Sequence, residues 1–216
     1  MNSALKTQTY VAKGDAPWFS NNWLDINKVI SMNKLDSGTT VVCDGNVTNT
    51  TEMFSNCDEL TSIDLSNFNT SKVVYMSGMF YYCFRITTLD LSNFDTSKVK
   101  FMNYMFYHCS DLTKLDLSNF DTSNVTGMSD MFGSCYNLTT LDLSNFDTSK
   151  VKDMECMFHN CPRLTTIKGI IDMKSCEEYR GMFKWCTKLK DVKIKNPPDN
   201  FEIISGLSKS QYTIVF

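Results

Sequence analysis

Apolar and polar positions alternate over short stretches of this chain, then switch to a wider spacing, and the switch keeps recurring. In Leu115-Asp116-Leu117 the alternation predicts a strand with one buried face. Asn119-Phe120-Asp121-Thr122-Ser123 follows with turn and cap chemistry, its Asp, Thr and Ser oxygens free to accept the first amides of a helix. Val125, Met128, Met131, Phe132 and Cys135 then fall at spacings of 3, 3, 1 and 3, which predicts one stripe of a short helix. Leu138 leads into the next strand. One such unit cannot bury its own apolar face, but stacked copies share a continuous core.

The unit is repeated in register. Met-Phe followed by Cys occurs at Met53, Met79, Met105, Met131, Met157 and Met182, with steps of 26, 26, 26, 26 and 25. The phrase Leu-Asp-Leu-Ser-Asn-Phe-Asp-Thr-Ser occurs at 89–97, 115–123 and 141–149, and 63–71 differs from it only at Ile63 and Asn69. Parallel strands about 4.8 Å apart would stack these copies in columns. Leu65, Leu91, Leu117 and Leu143 should point inward, and Phe68, Phe94, Phe120 and Phe146 should form an aromatic spine. Asn67, Asn93, Asn119 and Asn145 should sit at a bend and satisfy backbone groups of the neighbouring coil.

The chain divides into an N-terminal arm and cap (1–46), a six-unit stack (47–195) and a C-terminal cap (196–216). Phe19, Trp23, Ile26 and Ile30 lie at helical spacing behind Ser20, predicting an amphipathic cap helix, with a strand near Thr39–Cys43. Residues 1–14 show no periodicity and suit a disordered lead or an arm that docks on a larger assembly. Leu189, Val192 and Ile194 mark the last inward strand. Pro197-Pro198 ends the repeat, and 201–204 with 212–216 should fold over the final coil.

The chain has 216 residues, of which 42% are hydrophobic and 21% charged, with net charge −3 and pI near 5.4. That balance gives no basic stripe for nucleic acid. No apolar run reaches the roughly 18 residues of a membrane span, and the first residues lack the apolar core of a signal peptide. Nine Cys and thirteen Met suggest redox or metal chemistry, but six of each occupy one repeated position. No C-x2-C pair occurs, so the columns read as reduced core thiols; no metal, cofactor or disulfide is expected. Cys43, Cys156 and Cys176 fall outside the column, with Cys156 expected to be the most exposed. Asp64, Asp90, Asp116 and Asp142 form an outward column, continued by Lys168 and Lys193, that either calcium or neighbouring Thr, Ser and Lys with solvent must settle. The threonines at 87, 113, 139 and 165 suit strand propensity more simply than an ice-binding face. Spacing suggests no nucleophile for His108 or His159 and shows no phosphate loop, so catalysis is not expected.

Copies that hold a fold agree, so function should lie where they differ. At about 100° per residue, the helical stripe leaves Tyr81, Tyr104 and Tyr107 facing solvent, flanked by Tyr75, Tyr82, Phe101 and His108. The matching positions in the next two repeats are Gly127, Asp130, Gly133, Ser134, Asp153 and Asn160. The aromatics either pack on one another or on the N-terminal segment, or they form a ligand-binding patch.

The phrase LDLSNFDTS(K/N)V…M..MF..C, over roughly residues 47–195, resembles the BspA-like leucine-rich repeat family of bacterial surface proteins. The resemblance implies an α/β fold: a leucine-rich-repeat-like, right-handed stack of strand–turn–short-helix units with a parallel sheet. It also implies a non-enzymatic role in binding host proteins, other cells or surface ligands. Members commonly carry a secretion signal, and the repeats are also found on bacteriophage structural proteins. The expectation is a module that recognises a protein or carbohydrate receptor on a cell surface, located outside the cell without membrane insertion. The alternative is a virion component that docks through residues 1–20.

Overall fold

The computed structural model describes residues 9–12, 39–43 and 46–216. Its strands are β1 (Thr9–Ala12), β2 (Thr39–Cys43), β3 (Ile63–Asp64), β4 (Thr140–Asp142), β5 (Thr166–Lys168), β6 (Ile170–Asp172), β7 (Val192–Lys195) and β8 (Tyr212–Val215). They form three sheets, β1-β2-β3, β4-β5 and β6-β7-β8, and every pair is parallel. Parallel order follows from the repeat, because each copy of the phrase must lie beside the last in the same direction. β2 falls where Thr39–Cys43 was expected. β1 does not fit an unstructured arm, since residues 9–12 pair in register with Thr40–Cys43. The expected cap helix over 19–30 lies outside the described residues, as does most of the docking arm.

The short helices expected in each unit do not form. Among the described residues the α-helix is α1, Phe201–Ser205, so the helical part of each unit is not borne out, whereas the parallel strands are. In place of each helix the chain makes consecutive turns. Met105 N–H bonds back to Met102 O (3.2 Å), Tyr107 to Tyr104 O (3.0 Å) and Cys109 to Phe106 O (3.2 Å). The intervening amides point out of the coil into the next one: Tyr104 to Ser129 O (2.8 Å), Phe106 to Met131 O (2.9 Å) and His108 to Gly133 O (2.8 Å). Each unit carries two left-handed residues four apart: Glu52 and Asn56, Gly78 and Tyr82, Tyr104 and His108, Asp130 and Ser134, Cys156 and Asn160, Gly181 and Trp185. These occupy the third position of type II turns, which requires positive φ, and a right-handed helix cannot pass through them. Turns closing every three or four residues bury nearly the same stripe as a helix, so apolar spacing alone did not separate the two.

The predicted strand face is correct in burial. Leu115 and Leu117 are buried and Asp116 exposed. Regular strand pairing is absent from the copies at 89–91 and 115–117, whereas an unbroken column of parallel bridges runs along the turn side, Asn49–Tyr75–Phe101–Gly127–Asp153–Glu178. The sheet that stitches successive units together is thus one residue wide and lies in the region expected to be helical.

Side chains complete the stitching. Thr96 Oγ1 donates to Asp121 O (2.9 Å) and accepts from Asp121 N–H (2.8 Å), and Thr70, Thr122 and Thr148 do the same to Asp95, Asp147 and Asp172. All four are essentially inaccessible to solvent. Asn93, Asn119 and Asn145 donate to the preceding coil's carbonyls as expected, Asn119 to Leu91 O (2.9 Å) and Phe94 O (2.8 Å). The column cysteines are free and buried, and each thiol from Cys83 onward donates to the phenylalanine carbonyl one coil back: Cys109 to Phe80 (3.2 Å), Cys135 to Phe106 (3.1 Å), Cys161 to Phe132 (3.0 Å). Burial raises the thiol pKa of Cys109 and pushes that of Cys135 up to about 12, which keeps these donors protonated.

The aromatic spine differs from the one expected. Phe68, Phe94, Phe120 and Phe146 are buried and Phe68 stacks on Phe94 (5.9 Å), but the continuous stack is the phenylalanine of each Met-Phe pair, Phe54–Phe80–Phe106–Phe132–Phe158–Phe183, with centroids 5.3–5.8 Å apart. Phe201 on α1 meets the end of this spine edge-on at 6.5 Å. Gly181 N–H and Phe183 N–H bond to Ile204 O and Ser205 O, and Gln211 Nε2 to Leu189 O. The C-terminal segment therefore caps the last coil as expected, while β8 extends the sheet beside β7.

The buried threonines yield a direct test. Thr122→Val leaves both Asp147 backbone groups without their partner and should cost about 1–3 kcal/mol in denaturant unfolding. Thr113→Val, at an exposed position, should stay within about 0.5 kcal/mol of wild type.

Candidate functional site

The turns that stitch the stack also position the aromatic residues. Tyr81, Tyr82, Tyr104, Tyr107 and His108 come together as one cluster. Tyr81 stacks on Tyr107 (5.4 Å, 16°) and meets Tyr104 edge-on (6.2 Å, 81°); Tyr104 meets Tyr107 edge-on (5.9 Å, 75°); Tyr82 stacks on His108 (4.6 Å, 14°). Tyr75 and Phe101 form a stacked pair of their own (5.7 Å, 4°) on consecutive rungs of the bridge column. Mutual packing does not bury them: Tyr75 remains 43% and Tyr104 41% exposed. Packing against the N-terminal segment concerns residues outside those described.

Tyr136 joins the cluster, its ring edge-on to His108 at 5.3 Å, although its place directly after Cys135 was the only sequence signal for it. Trp185 is 55% exposed, lies 4.8 Å from the His159 ring and carries the Lys184 ammonium over its face at 4.9 Å. Its position in the same column as Tyr82 and His108 was legible in the repeat and was overlooked. A cavity of about 590 Å³ opens beside it, lined by Lys188, Lys190, Ser208 and Gln211 among others.

Backbone conformation adds a cost to the cluster. Tyr82, Tyr104 and His108 have φ near +60°, where a bulky side chain costs of order 1–3 kcal/mol. Other coils place Gly78, Gly181, Asn56, Asn160 and Asp130 in these columns at little cost, but also Glu52, Ser134, Cys156 and Trp185. Gly133 provides the floor: a Cβ there would lie 2.9 Å from the Tyr107 ring.

Carboxylates border the rings. Asp130 follows Tyr104 in its column, its N–H bonded to Glu155 O (2.8 Å), and Asp153 lies two rungs beyond Phe101. Asp130 is half-buried, and desolvation, reinforced by Glu155 and Asp153, pushes its pKa up to about 6. Burial also raises the Tyr81, Tyr104 and Tyr107 phenols, with Glu52 and Asp130 adding to the effect at Tyr81 and Asp130, Asp153 and Glu155 at Tyr104. Among the described residues the ion pairs are Arg85–Glu59, Lys152–Glu177 and Lys168–Asp142, none of them on this rim.

The outward aspartate column resolves locally. Asp64, Asp90, Asp116 and Asp142 each accept the amide two residues on (3.0–3.1 Å), and bonds from those serines hold the carboxyls below their ordinary range. Asp95, Asp121 and Asp147 make the same turn to Ser97, Ser123 and Ser149 rather than capping a helix. Among the described residues no group of His, Cys, Asp or Glu is arranged to hold a metal ion, and no helix is long and apolar enough to cross a membrane. Cys156 and Cys176 are both half-buried, and Cys43 is buried. The Ser110 hydroxyl lies 2.9 Å from His108 Nδ1, a neighbour the spacing had not suggested.

Repeats hydrogen-bonded coil to coil, with variable side chains on the turn side, define a stacked-repeat protein. The family model described as "Mycoplasma protein of unknown function, DUF285" matches residues 43–116 and 85–196, and the chain belongs to that family. A crystal structure of a leucine-rich repeat protein of T. pallidum (TpLRR) is similar at 16% identity and a TM-score of 0.39, over 76% of this chain and 80% of that one. No curated protein matches the sequence.

Two outcomes are expected. Tyr104→Gly removes the positive-φ cost at an exposed ring and should keep the melting free energy within about 1 kcal/mol of wild type, whereas Gly78→Ala at φ +63°, with its Cβ 3.0 Å from Glu52, should lower it. For Asp130, a raised pKa means that the folded state favours the neutral acid. Wild type should therefore lose stability as pH rises from about 4 through about 6. Asp130→Asn, which tolerates positive φ, should flatten that part of the stability–pH curve and gain about 1 kcal/mol or less at pH 7 after solvent screening.

Proposed function

We propose that the chain is a leucine-rich-repeat-like, right-handed solenoid of the BspA type that acts as a non-enzymatic binding module. It recognises a protein or carbohydrate on a cell surface, outside the cell that makes it. The observation that carries this reading is the partly exposed aromatic cluster on two adjacent coils, with Tyr82, Tyr104 and His108 among its members at positive φ. Glu52, Cys156 and Trp185 bear the same backbone cost in other coils, but here three such side chains join one aromatic cluster, which recognition explains more economically than folding. Tyr supplies a large contact area with few rotors to freeze and a phenol to bond with, which suits both peptide and sugar partners. The uniform columns beneath the patch hold it rigid, so little ordering cost remains at binding.

The test compares wild type with a Tyr81→Ala, Tyr104→Ala, Tyr107→Ala variant on arrays of glycans and of extracellular proteins, with circular dichroism confirming the fold. At least one array ligand should bind wild type and lose at least about tenfold in affinity with the variant. Array binding that the triple variant retains in full would sink the reading.

A further inference from the structure

The patch is more specific than an aromatic surface. Tyr104 is exposed on the coil directly before Asp130. A Cβ at Gly133 would lie 2.9 Å from both the Asp130 carboxylate oxygen and the Tyr107 ring, and one at Gly78 would lie 3.0 Å from the Glu52 side chain and 3.6 Å from Tyr81, which sets Asp130 and Glu52 against the rings; Asp153 and Glu155 add their charge at Tyr104. Carboxylates thus flank the rings from both neighbouring sides. Among the described residues no ion pair neutralises them, and Lys184, the cation whose field reaches Cys156, has its ammonium over Trp185. The faces of tyrosine rings are themselves negative, and uncompensated carboxylates beside them deepen that potential.

We propose that this surface binds a basic segment of a partner protein, with an arginine or lysine side chain laid on Tyr104 and its charge directed to Asp153 and Glu155. The inference rests on the reading of the patch as a binding surface and narrows its ligand. Charge complementarity selects the occupant. An arginine stacks on a tyrosine face and bonds two carboxylate oxygens in one plane, whereas an acidic peptide or sulfated glycan would meet like charge at Glu52, Asp130, Asp153 and Glu155. A neutral sugar would stack on the rings but would leave the surplus charge unused.

The test uses the full chain and three probes in calorimetric titration: a short arginine–glycine peptide, its glutamate counterpart and a neutral maltooligosaccharide. The arginine peptide should bind, and its affinity should fall about tenfold or more as salt shortens the screening length from about 10 to about 3 Å. An Asp153→Asn, Glu155→Gln variant and Tyr104→Ala should each weaken it about tenfold, and Asp116→Asn on the outward strand face should leave it unchanged. Equal binding of the arginine peptide by the carboxylate variant overturns the inference. So does binding of the neutral probe in its place, or self-association of the chain that depends on Tyr104. If array ligands are lost on removing the tyrosines but the arginine peptide never binds, the binding-surface reading stands and this inference falls. If array binding ignores the tyrosines, both fall.

Discussion

The structure depends on amides that leave their own coil. In each turn segment alternate N–H groups bond back three residues while the others reach a carbonyl 25 residues ahead, as Met102, Tyr104, Phe106 and His108 do to Gly127, Ser129, Met131 and Gly133. Buried backbone groups must be paired, and this alternation pairs them without helix or broad sheet. It also fixes the repeat length, because an inserted residue would shift every donor past its acceptor. The step of 25 rather than 26 before Met182 is absorbed on the strand side, where Gly169 at φ +98° lies so close to Leu143 O that a Cβ would approach it to 2.5 Å.

Once the coils are locked at that spacing, the choice of side chain in each column follows. Thr96 and Thr122 replace a rung of backbone pairing by bonding both groups of one residue in the next coil. Cysteine serves the Met-Phe-x-x-Cys position because a small apolar group with a weak donor is needed beneath a carbonyl that already accepts one amide: Phe80 O takes Cys83 N–H and the Cys109 thiol. The phenylalanine spine packs at the same interval, its centroids 5.3–5.8 Å apart, within the range of about 4.5–7 Å that offset stacking favours.

Much of this was legible from the sequence. Register, columns, inward leucines and the Asn bend all follow from a repeat seen beside a core that must be shared. The turn segment was not, because Met128, Met131, Phe132 and Cys135 present the same stripe whether the chain turns by helix or by successive type II turns. The signal that separates them is the recurrence of Gly, Asn and Asp in two columns four residues apart, Gly78 and Gly181 in one and Asn56 and Asn160 in the other. In the middle coils that signal is hidden under Tyr104 and His108. Asking where copies differ singles out Tyr81, Tyr82, Tyr104, Tyr107 and His108, which the structure joins in one cluster; it leaves out Tyr136, and Trp185 although it shares the column of Tyr82 and His108.

The same geometry explains why recognition would be placed on the turn side. The strand side is constrained by the inward leucines and by Asp–Ser turns that use nearly every polar group locally. On the turn side the left-handed positions direct their side chains away from the core while their amides hold the next coil, so the residue there can change without disturbing the ladder. A left-handed column tolerates Gly, Asn and Asp at little cost and penalises bulkier residues, a cost that Glu52, Ser134, Cys156 and Trp185 bear as well. Tyr82, Tyr104 and His108 lie on two adjacent coils and share one surface with Tyr81 and Tyr107, whereas Trp185 lies towards the far end of the stack beside His159, with Lys184 over its face. Three such positions that build one partly exposed aromatic cluster are the pattern expected of a surface maintained for contact.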